Sequence, residues 1–359
     1  MSEIYRPTWL EINLKNIWKN YQTISQMNSS QSIVPVVKAD AYGHGAFEVT
    51  QYLYERGVRF FAVSSLEEAL EIRPVSADID IIIMGLITQE GLSKAREKNI
   101  IVTIANKDDY ALIKAMTHPP RFHLKVDTGM NRLGFKQPGD VRTVVKESEN
   151  YDYLKLEGIY THLATADSDY EYALGQIESF KAVLNTLDYI PSCVHVSNSS
   201  AALKLSDLTS FTTHARVGLS LYGETLEDDV DFLYQTMTLK TRVMDIKQLN
   251  PGEKVGYGIT YEANAEERIG ILQVGYADGF IRRHQEGQVS VNDSLYPIVG
   301  RVCMDQMFIK VDENVSKNDI VVLLGNKKIT VDDIAERLQT IPHEVLTSFS
   351  KRVPRVYKR

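Results

Sequence analysis

A lysine directly follows a short apolar run, Val34-Pro35-Val36-Val37-Lys38, and precedes Ala39-Asp40-Ala41-Tyr42-Gly43-His44-Gly45. At the end of a buried strand such an amine is partly desolvated, which disfavours its ammonium form and suits a Schiff-base nucleophile or a general base. A salt bridge to Asp40 is the plainer alternative. In Phe122-His123-Leu124-Lys125-Val126-Asp127, Lys125 and Asp127 alternate with apolar residues and share one side of a strand. An inward Lys125 needs an anionic partner, which Arg132 cannot be. The glycines of Thr128-Gly129-Met130-Asn131-Arg132-Leu133-Gly134 permit a tight turn that returns Arg132 over the strand ends, although a surface arginine is an equal alternative. Tyr160-Thr161-His162, Ser197-Asn198-Ser199-Ser200 and Arg216-Val217-Gly218-Leu219 add polar groups, and Ser199 with the backbone at Gly218 and Leu219 suits a phosphate. His123, His162 and His195, with Asp127 or Asp167, could ligate a metal, but no HxxH, HxH, HExxH or CxxC spacing is present. His195 reads as a core histidine, and no metal is expected.

These groups gain force only if one rim carries them all. Strand-like runs occur at 33–37, 60–64, 79–84, 100–104, 122–127, 156–162, 193–197 and 213–217, separated by helical patterns such as 66–73, 89–98, 107–116, 141–149 and 172–187. Eight strand–helix units are the count of a (β/α)8 barrel, whose chemistry sits at the C-terminal strand ends. An open doubly wound sheet would want a glycine-rich fingerprint after its first strand, and Gly43-His44-Gly45 lacks the third glycine. From about Tyr234, strand-like pieces at 239–246, 269–276, 289–291, 306–311 and 320–324 are split by Asn250-Pro251-Gly252 and Asp278-Gly279. Helical signal returns only near 331–337 and 343–349. The expected architecture is α/β: an N-terminal barrel over 1–230, then a mainly β domain over 231–359 whose final residues return toward the active site. The acidic Glu227-Asp228-Asp229 and Asp231 mark a solvated linker.

The 359 residues are 43% hydrophobic with a formal net charge of −7, the balance of a globular chain and a poor one for binding nucleic acid. Cys193 and Cys303 could form at most one bridge, so a reducing, cytoplasmic setting is expected. No apolar run approaches the roughly 18 residues of a membrane span, and Glu3, Arg6 and Glu11 interrupt any signal peptide. The basic tail from Lys351 to Arg359 reads as a solvated terminus.

Taken in order, the motifs resemble bacterial alanine racemases. Val36-Val37-Lys38-Ala39-Asp40-Ala41-Tyr42-Gly43-His44-Gly45 is similar to that family's pyridoxal-phosphate (PLP) lysine motif. Lys125 to Gly134, Tyr160-Thr161-His162, Asn198-Ser199 and Arg216-Val217-Gly218 follow in the family's order. So do Gly256-Tyr257-Gly258, Gly275-Tyr276-Ala277-Asp278-Gly279, Cys303-Met304-Asp305 and Arg352-Val353-Pro354-Arg355-Val356-Tyr357. The resemblance implies a PLP-binding barrel, a C-terminal β domain and a head-to-tail homodimer with shared active sites, supplying D-alanine for peptidoglycan. It implies that Lys38 carries the cofactor as a Schiff base and is one catalytic base, with Tyr257 of the partner subunit the other. By the same resemblance Arg216 donates to the pyridine nitrogen, His162 lies beside the ring, and Arg132 contacts the phenolic oxygen and the substrate. Tyr42, Ser199, Gly218, Leu219 and Tyr357 surround the phosphate. Met304 holds the substrate carboxylate through its backbone, and Tyr276 and Tyr357 narrow the entrance. The lysine matching Lys125 is carbamylated in many relatives. Asn131 departs from the glycine many relatives carry, but asparagine accepts left-handed backbone geometry.

Residue chemistry supports the same reaction. Moving an α-proton from one face to the other needs two bases flanking a plane, and a lysine and a tyrosine can do so. A tyrosine with a pKa near 10 must be helped to ionise, for which a chain through His162 to Arg216 would serve. An arginine keeps its proton and leaves the pyridine a weaker electron sink than a carboxylate partner would. Serine, lysine or another amino acid as substrate, a PLP-dependent decarboxylase and a PLP carrier are the rival readings.

Overall fold

The computed structural model describes residues 5–359, which separate into two units: residues 17–234, and residues 235–359 together with the segment up to residue 16. The first strand, β1 (Trp9–Asn13), belongs to the second unit. The first unit holds β2 (Ser32–Pro35), β3 (Phe60–Val63), β4 (Asp80–Ile83), β5 (Val102–Ile104), β6 (Phe122–Lys125), β7 (Leu156–Tyr160), β8 (Cys193–His195) and β9 (His214–Val217). All their pairings are parallel, and bridges Val36–Ala62 and Ile82–Ile101 join β3 and β4 to the six-stranded remainder, closing the ring. The eight expected runs therefore form a barrel, not an open sheet. Six of the strands stop one or two residues short of the expected ends: Asp127, His162 and Ser197 have left the ladder for the loops that follow, and Lys38 opens a helical turn.

Local sequence explains these elements. Ile81, Ile82 and Ile83 in β4 are fully buried, as a β-branched run covered on both faces requires. Helices begin on side-chain caps: Ser65 with Glu68 before Leu66–Ile72, Thr88 before Gln89–Glu97, Asn106 before Lys107–Ala115 and Asn198 before Ser199–Lys204. Each cap satisfies an amide that has no intrahelical partner.

The barrel interior is polar where barrels usually hold branched aliphatics. Tyr160 lies at its centre, its hydroxyl 2.8 Å from Thr103 Oγ1 and its ring stacked on His195 with centroids 4.4 Å apart. Beneath, Phe60 presents its edge to His123 and His214, and His123 meets His195 edge-on at 5.1 Å. The His123 ring occupies the space above Gly158. A Cβ on that residue would fall 2.6 Å from His123 Nδ1 and 2.8 Å from the Cys193 carbonyl.

The second unit is an eight-stranded sheet built on β10 (Met237–Leu249), which pairs antiparallel with β1 and with strands Glu267–Leu272 and Ile320–Leu324. The expected pieces after Tyr234 all appear, with Lys254–Val255, Tyr261–Glu262, Ser294–Val299 and Arg355–Lys358 added. One expectation is corrected here. The opening segment was assigned to the barrel, but Leu10 and Ile12 on one face of β1 are buried, and its edges pair with β10 and with Arg355–Lys358. In the basic tail Lys351, Arg352, Lys358 and Arg359 are exposed, as expected, while the backbone of Arg355–Lys358 forms a strand parallel to β1, with Lys358 paired to Glu11. Among the described residues no helix is long and apolar enough to cross a membrane.

Gly158→Ala is expected to destabilise the protein by about 1–3 kcal/mol, the usual cost of overpacking a filled core. Urea unfolding would measure it, and an unchanged midpoint would show that the His123 ring yields freely.

Candidate active site

The β2 ladder ends at Pro35, and Lys38 opens a turn of unusual hand. Ala39, Asp40, Ala41 and Tyr42 all have φ between 50 and 54°, and Gly43 continues at 80°. Left-handed backbone costs an L-residue about 1–2 kcal/mol, so the surroundings must impose it. Gly43 N–H donates to the Ala39 carbonyl (3.0 Å), Gly45 N–H to that of Asp40 (2.9 Å), and Ala46 N–H to Asp40 Oδ1 (2.8 Å). His44 Nδ1 lies 3.0 Å from the carbonyls of Ala41 and Tyr42, so that nitrogen carries the proton. Tyr42 stacks on Tyr222, whose hydroxyl donates to the Val36 carbonyl. Asp40 is thus a cap of the turn, and among the described residues Lys38 has no ion pair, which removes the salt-bridge alternative. Burial first, and the Arg132 guanidinium second, hold the half-buried Lys38 amine below the ordinary lysine range, with Glu68 opposing.

Arg216, only 3% exposed, projects from β9 into the barrel. Its terminal nitrogens donate to His195 Nδ1 (2.6 Å), His162 Nδ1 (3.2 Å) and the carbonyls of Thr161 and Val196 (both 3.0 Å). A guanidinium can only donate, so both imidazoles present a bare Nδ1 and carry their proton on Nε2. His195 Nε2–H then donates to His123 Nδ1 at 2.9 Å. Burial, reinforced by Arg216, keeps His162 and His195 neutral, far below the ordinary histidine range, and burial takes His123 down to about 3. Burial also lowers Arg216 to about 10, still protonated at neutral pH.

Lys125 is 5% exposed, with Nζ 5.2 Å from the Tyr160 ring centroid, and burial followed by Arg216 and Arg132 lowers it to about 8. Among the described residues neither Lys125 nor Arg216 has a carboxylate at ion-pair distance. Asp127 instead shapes the loop, its Oδ1 accepting from the amides of Gly129 and Asn131 at 3.0 Å. Asn131 adopts φ 57°, the left-handed geometry its type allows. Arg132 stays exposed, yet its charge acts on Lys38, Lys125 and His162.

Beside this cation cluster lies a polar cradle. Ser199 Oγ accepts from the amides of Gly218 (3.0 Å) and Ser220 (3.4 Å). A Cβ at Gly218 would lie 2.4 Å from the Tyr42 hydroxyl, and the buried Ser220 Oγ has no partner. Tyr42, Ser199 and Gly218 therefore meet, with Leu219 next in the chain. Ser220 and the carbonyls of Thr161 and Val196 were not singled out, since only packing aims them inward.

His123, Cys193 and His195 place ligand atoms within 4.8 Å of one another. Their chemistry suits a metal poorly. The two imidazoles are hydrogen-bonded together, and burial raises the Cys193 thiol, 3.3 Å from His214 Nδ1, to about 12. Asp127 and His162, from the metal set considered earlier, are committed to the loop and to Arg216.

The remaining candidates lie in the second unit. Tyr257 sits at the tip between Lys254–Val255 and Tyr261–Glu262, flanked by Gly256 and Gly258 at φ 75° and 73°. Tyr276 N–H donates to the Cys303 carbonyl and Ala277 N–H to that of Met304, a crossing so close that a Cβ at Gly275 would lie 2.3 Å from the Cys303 oxygen. Asp278 steadies this loop by accepting from Gly275 N–H and from both terminal nitrogens of Arg6. Tyr257, Cys303 and Met304 line one open depression of about 540 Å³. Tyr357 lies on strand Arg355–Lys358.

The buried imidazoles imply a pH dependence of stability. In the unfolded chain they protonate as pH falls through about 6.5, whereas in the fold they stay neutral well below it. The unfolded state then binds more protons, so each histidine removes up to about 1.4 kcal/mol per pH unit below 6.5. Urea midpoints at pH 7.5, 6.0 and 5.0 should fall steadily, and a flat profile would mean that the imidazoles protonate in place.

Comparison with known proteins agrees with this geometry. The chain matches the family model for the alanine racemase N-terminal domain over residues 12–226 and that for the C-terminal domain over 236–357. It is 38% identical to an alanine racemase from Staphylococcus carnosus, covering 99% of this chain and 96% of that one. It is 37% identical to one from Listeria monocytogenes, covering 98% of each. A crystal structure of alanine racemase from E. faecalis superposes with a TM-score of 0.93 at 36% identity, covering 99% of both chains. One from Bacillus anthracis with bound L-Ala-P gives 0.91 at 32% identity, covering 100% of this chain and 96% of that one. With both family models matched in order and full-length relatives above 30% identity, the chain belongs to the alanine racemase family.

Proposed function

We propose that this protein interconverts L- and D-alanine with Lys38 and Tyr257 of the partner subunit as the two bases, so that D-alanine is available for peptidoglycan. The observation that carries this assignment is the cation cluster around Lys38: Lys125, Arg132 and Arg216 act on one mouth with little anionic compensation. Such a mouth attracts a small molecule bearing phosphate and carboxylate groups. Pyridoxal phosphate, on which the family depends, supplies an electron sink for the substrate α-carbon.

The residues present fit that cofactor. Lys38 is the amine to hold it, and Ser199, Tyr42, Gly218, Leu219 and the unpartnered Ser220 hydroxyl suit its phosphate. The hydrogen bonds of Arg216 use its two terminal nitrogens and leave Nε for a pyridine nitrogen. Still protonated at neutral pH, Arg216 donates there without giving up its proton.

The depressed pKa of Lys38 enlarges its free-base fraction, as a proton acceptor requires. Because Arg216 occupies His162 Nδ1, the Nε2–H of His162 is free to donate to Tyr257 of the partner subunit, which favours its phenolate. A homodimer is supported by exposed hydrophobics on the second unit: Tyr257 at 73%, Ile259 at 59% and Met304 at 51%. In that arrangement Met304 offers its backbone to the substrate carboxylate, Arg132 contacts the substrate, and Tyr276 narrows the entrance. Lys125, lowered to about 8, has enough neutral amine to take up CO2 with release of a proton. The carbamate so formed is an anion for Arg132. The thiols of Cys193 and Cys303, both free, fit the cytoplasm.

Interconversion of D- and L-alanine, assayed beside serine and lysine, tests the reaction; no turnover of any would refute it. Lys38→Ala and Tyr257→Phe should each lower kcat by about 10²–10⁴-fold, the range for loss of a general base. Mixing the two inactive proteins should restore activity through hybrid dimers, and no recovery would exclude the shared site. A ¹³C signal from bicarbonate-equilibrated protein, lost in Lys125→Ala, should report the carbamate, and density for a plain amine at Lys125 would disprove it.

A further inference from the structure

Lys38 is bracketed by two backbone anchors. On one side Val37 N–H donates to the Ala62 carbonyl of β3 at 2.9 Å. On the other, Ala39 N–H donates to Oε1 of Glu68 at 2.8 Å. Glu68 belongs to the next strand–helix unit, in helix Leu66–Ile72. Its Oε2 accepts from the amides of Ser64 (2.7 Å) and Ser65 (3.3 Å), while its own amide donates to Ser65 Oγ. One carboxylate thus serves three amides from two loops. The helix cap uses one of its oxygens; the other reaches across to the residue after the lysine. The remaining hydrogen bonds of the left-handed turn lie beyond this point, at the Ala39 carbonyl and the residues after it or from Ala41 N–H back to Val37. Only Glu68 fixes the amide at which the left-handed run begins.

We propose that Glu68 is a positioning residue for Lys38: its carboxylate ties the Ala39 amide to the start of helix Leu66–Ile72 and so sets the direction in which the lysine leaves the barrel wall. The inference deepens the functional assignment and rests on Lys38 as the working amine. The tie needs two acceptor oxygens. Glutamine offers one, and its NH2 would face amides that also donate. Alanine offers neither.

The test uses the full chain with Glu68→Ala, Glu68→Gln and, as a control on the helix start alone, Ser65→Ala. In Glu68→Ala the Ala39 amide should exchange with solvent at least about ten-fold faster, since hydrogen bonds to charged groups are the stronger ones. In protein freed of cofactor, the pH midpoint for acetic anhydride labelling of Lys38, read by peptide mass, should move down, because a neighbouring negative charge is gone. Alanine racemisation should lose kcat more than KM. Glu68→Gln should show the same downward midpoint with a smaller exchange effect, and it decides the matter if Glu68→Ala does not fold. Ser65→Ala should lower the unfolding midpoint while leaving Ala39 exchange and Lys38 labelling as in the parent. Parental exchange and labelling in both Glu68 variants would overturn the proposal, as would a Ser65→Ala protein that matches Glu68→Ala. A parent without racemase activity would defeat the functional assignment alone, since exchange and labelling still report on Glu68.

Discussion

A guanidinium buried inside a β-barrel, with no carboxylate at ion-pair distance among the described residues, constrains everything around it. Arg216 cannot escape the cost of burial by losing its proton, so neutral acceptors must surround it. Two carbonyls and two imidazole nitrogens do so, which fixes the tautomers of His162 and His195 and, through His195, orients His123. The Tyr160 ring takes the face of the cation, and Gly158 leaves room for the last imidazole. The polar interior is a single network whose members must all remain neutral so that one charge can persist.

That charge is left for use at the mouth. With no counter-ion among the described residues, Arg216 lowers Lys125 and His162, and Arg132 adds to the same field at Lys38. A site of this kind favours free amines and anionic ligands by one electrostatic cause. The cradle of Ser199, Gly218 and Tyr42 adds direction to that attraction, because the close approach at Gly218 admits no side chain. Backbone strain is accepted next to the lysine for a related reason: a left-handed turn of four non-glycine residues persists only because carbonyls, Asp40, His44 and Glu68 all hold it.

Much of this was legible in the residues. The eight β-branched runs and the break near Tyr234 are local patterns, and periodicity reports local patterns well. Glu68 was not singled out: a Ser65-x-x-Glu68 capping box announces a helix start and not a second use for the free oxygen. The opening strand was misplaced because Trp9–Asn13 pairs with residues more than two hundred positions away, and nothing in five residues names their partner. The tail's lysines and arginines are solvated as their type suggests, but nothing in them names the strand that takes their backbone.

From the order of residues alone came the alternation of strands and helices, the placement of Lys38, His162, Ser199 and Arg216 at successive strand ends, and a family resemblance spanning both units. These follow from short-range rules of side-chain pattern and backbone preference. Only the folded chain decided that the sheet closes, that Asp40 caps a turn and does not neutralise Lys38, and that Arg216 is held by imidazoles of fixed tautomer. Closure, burial and proton position depend on which distant groups share a low-dielectric space, and that proximity exists only in three dimensions.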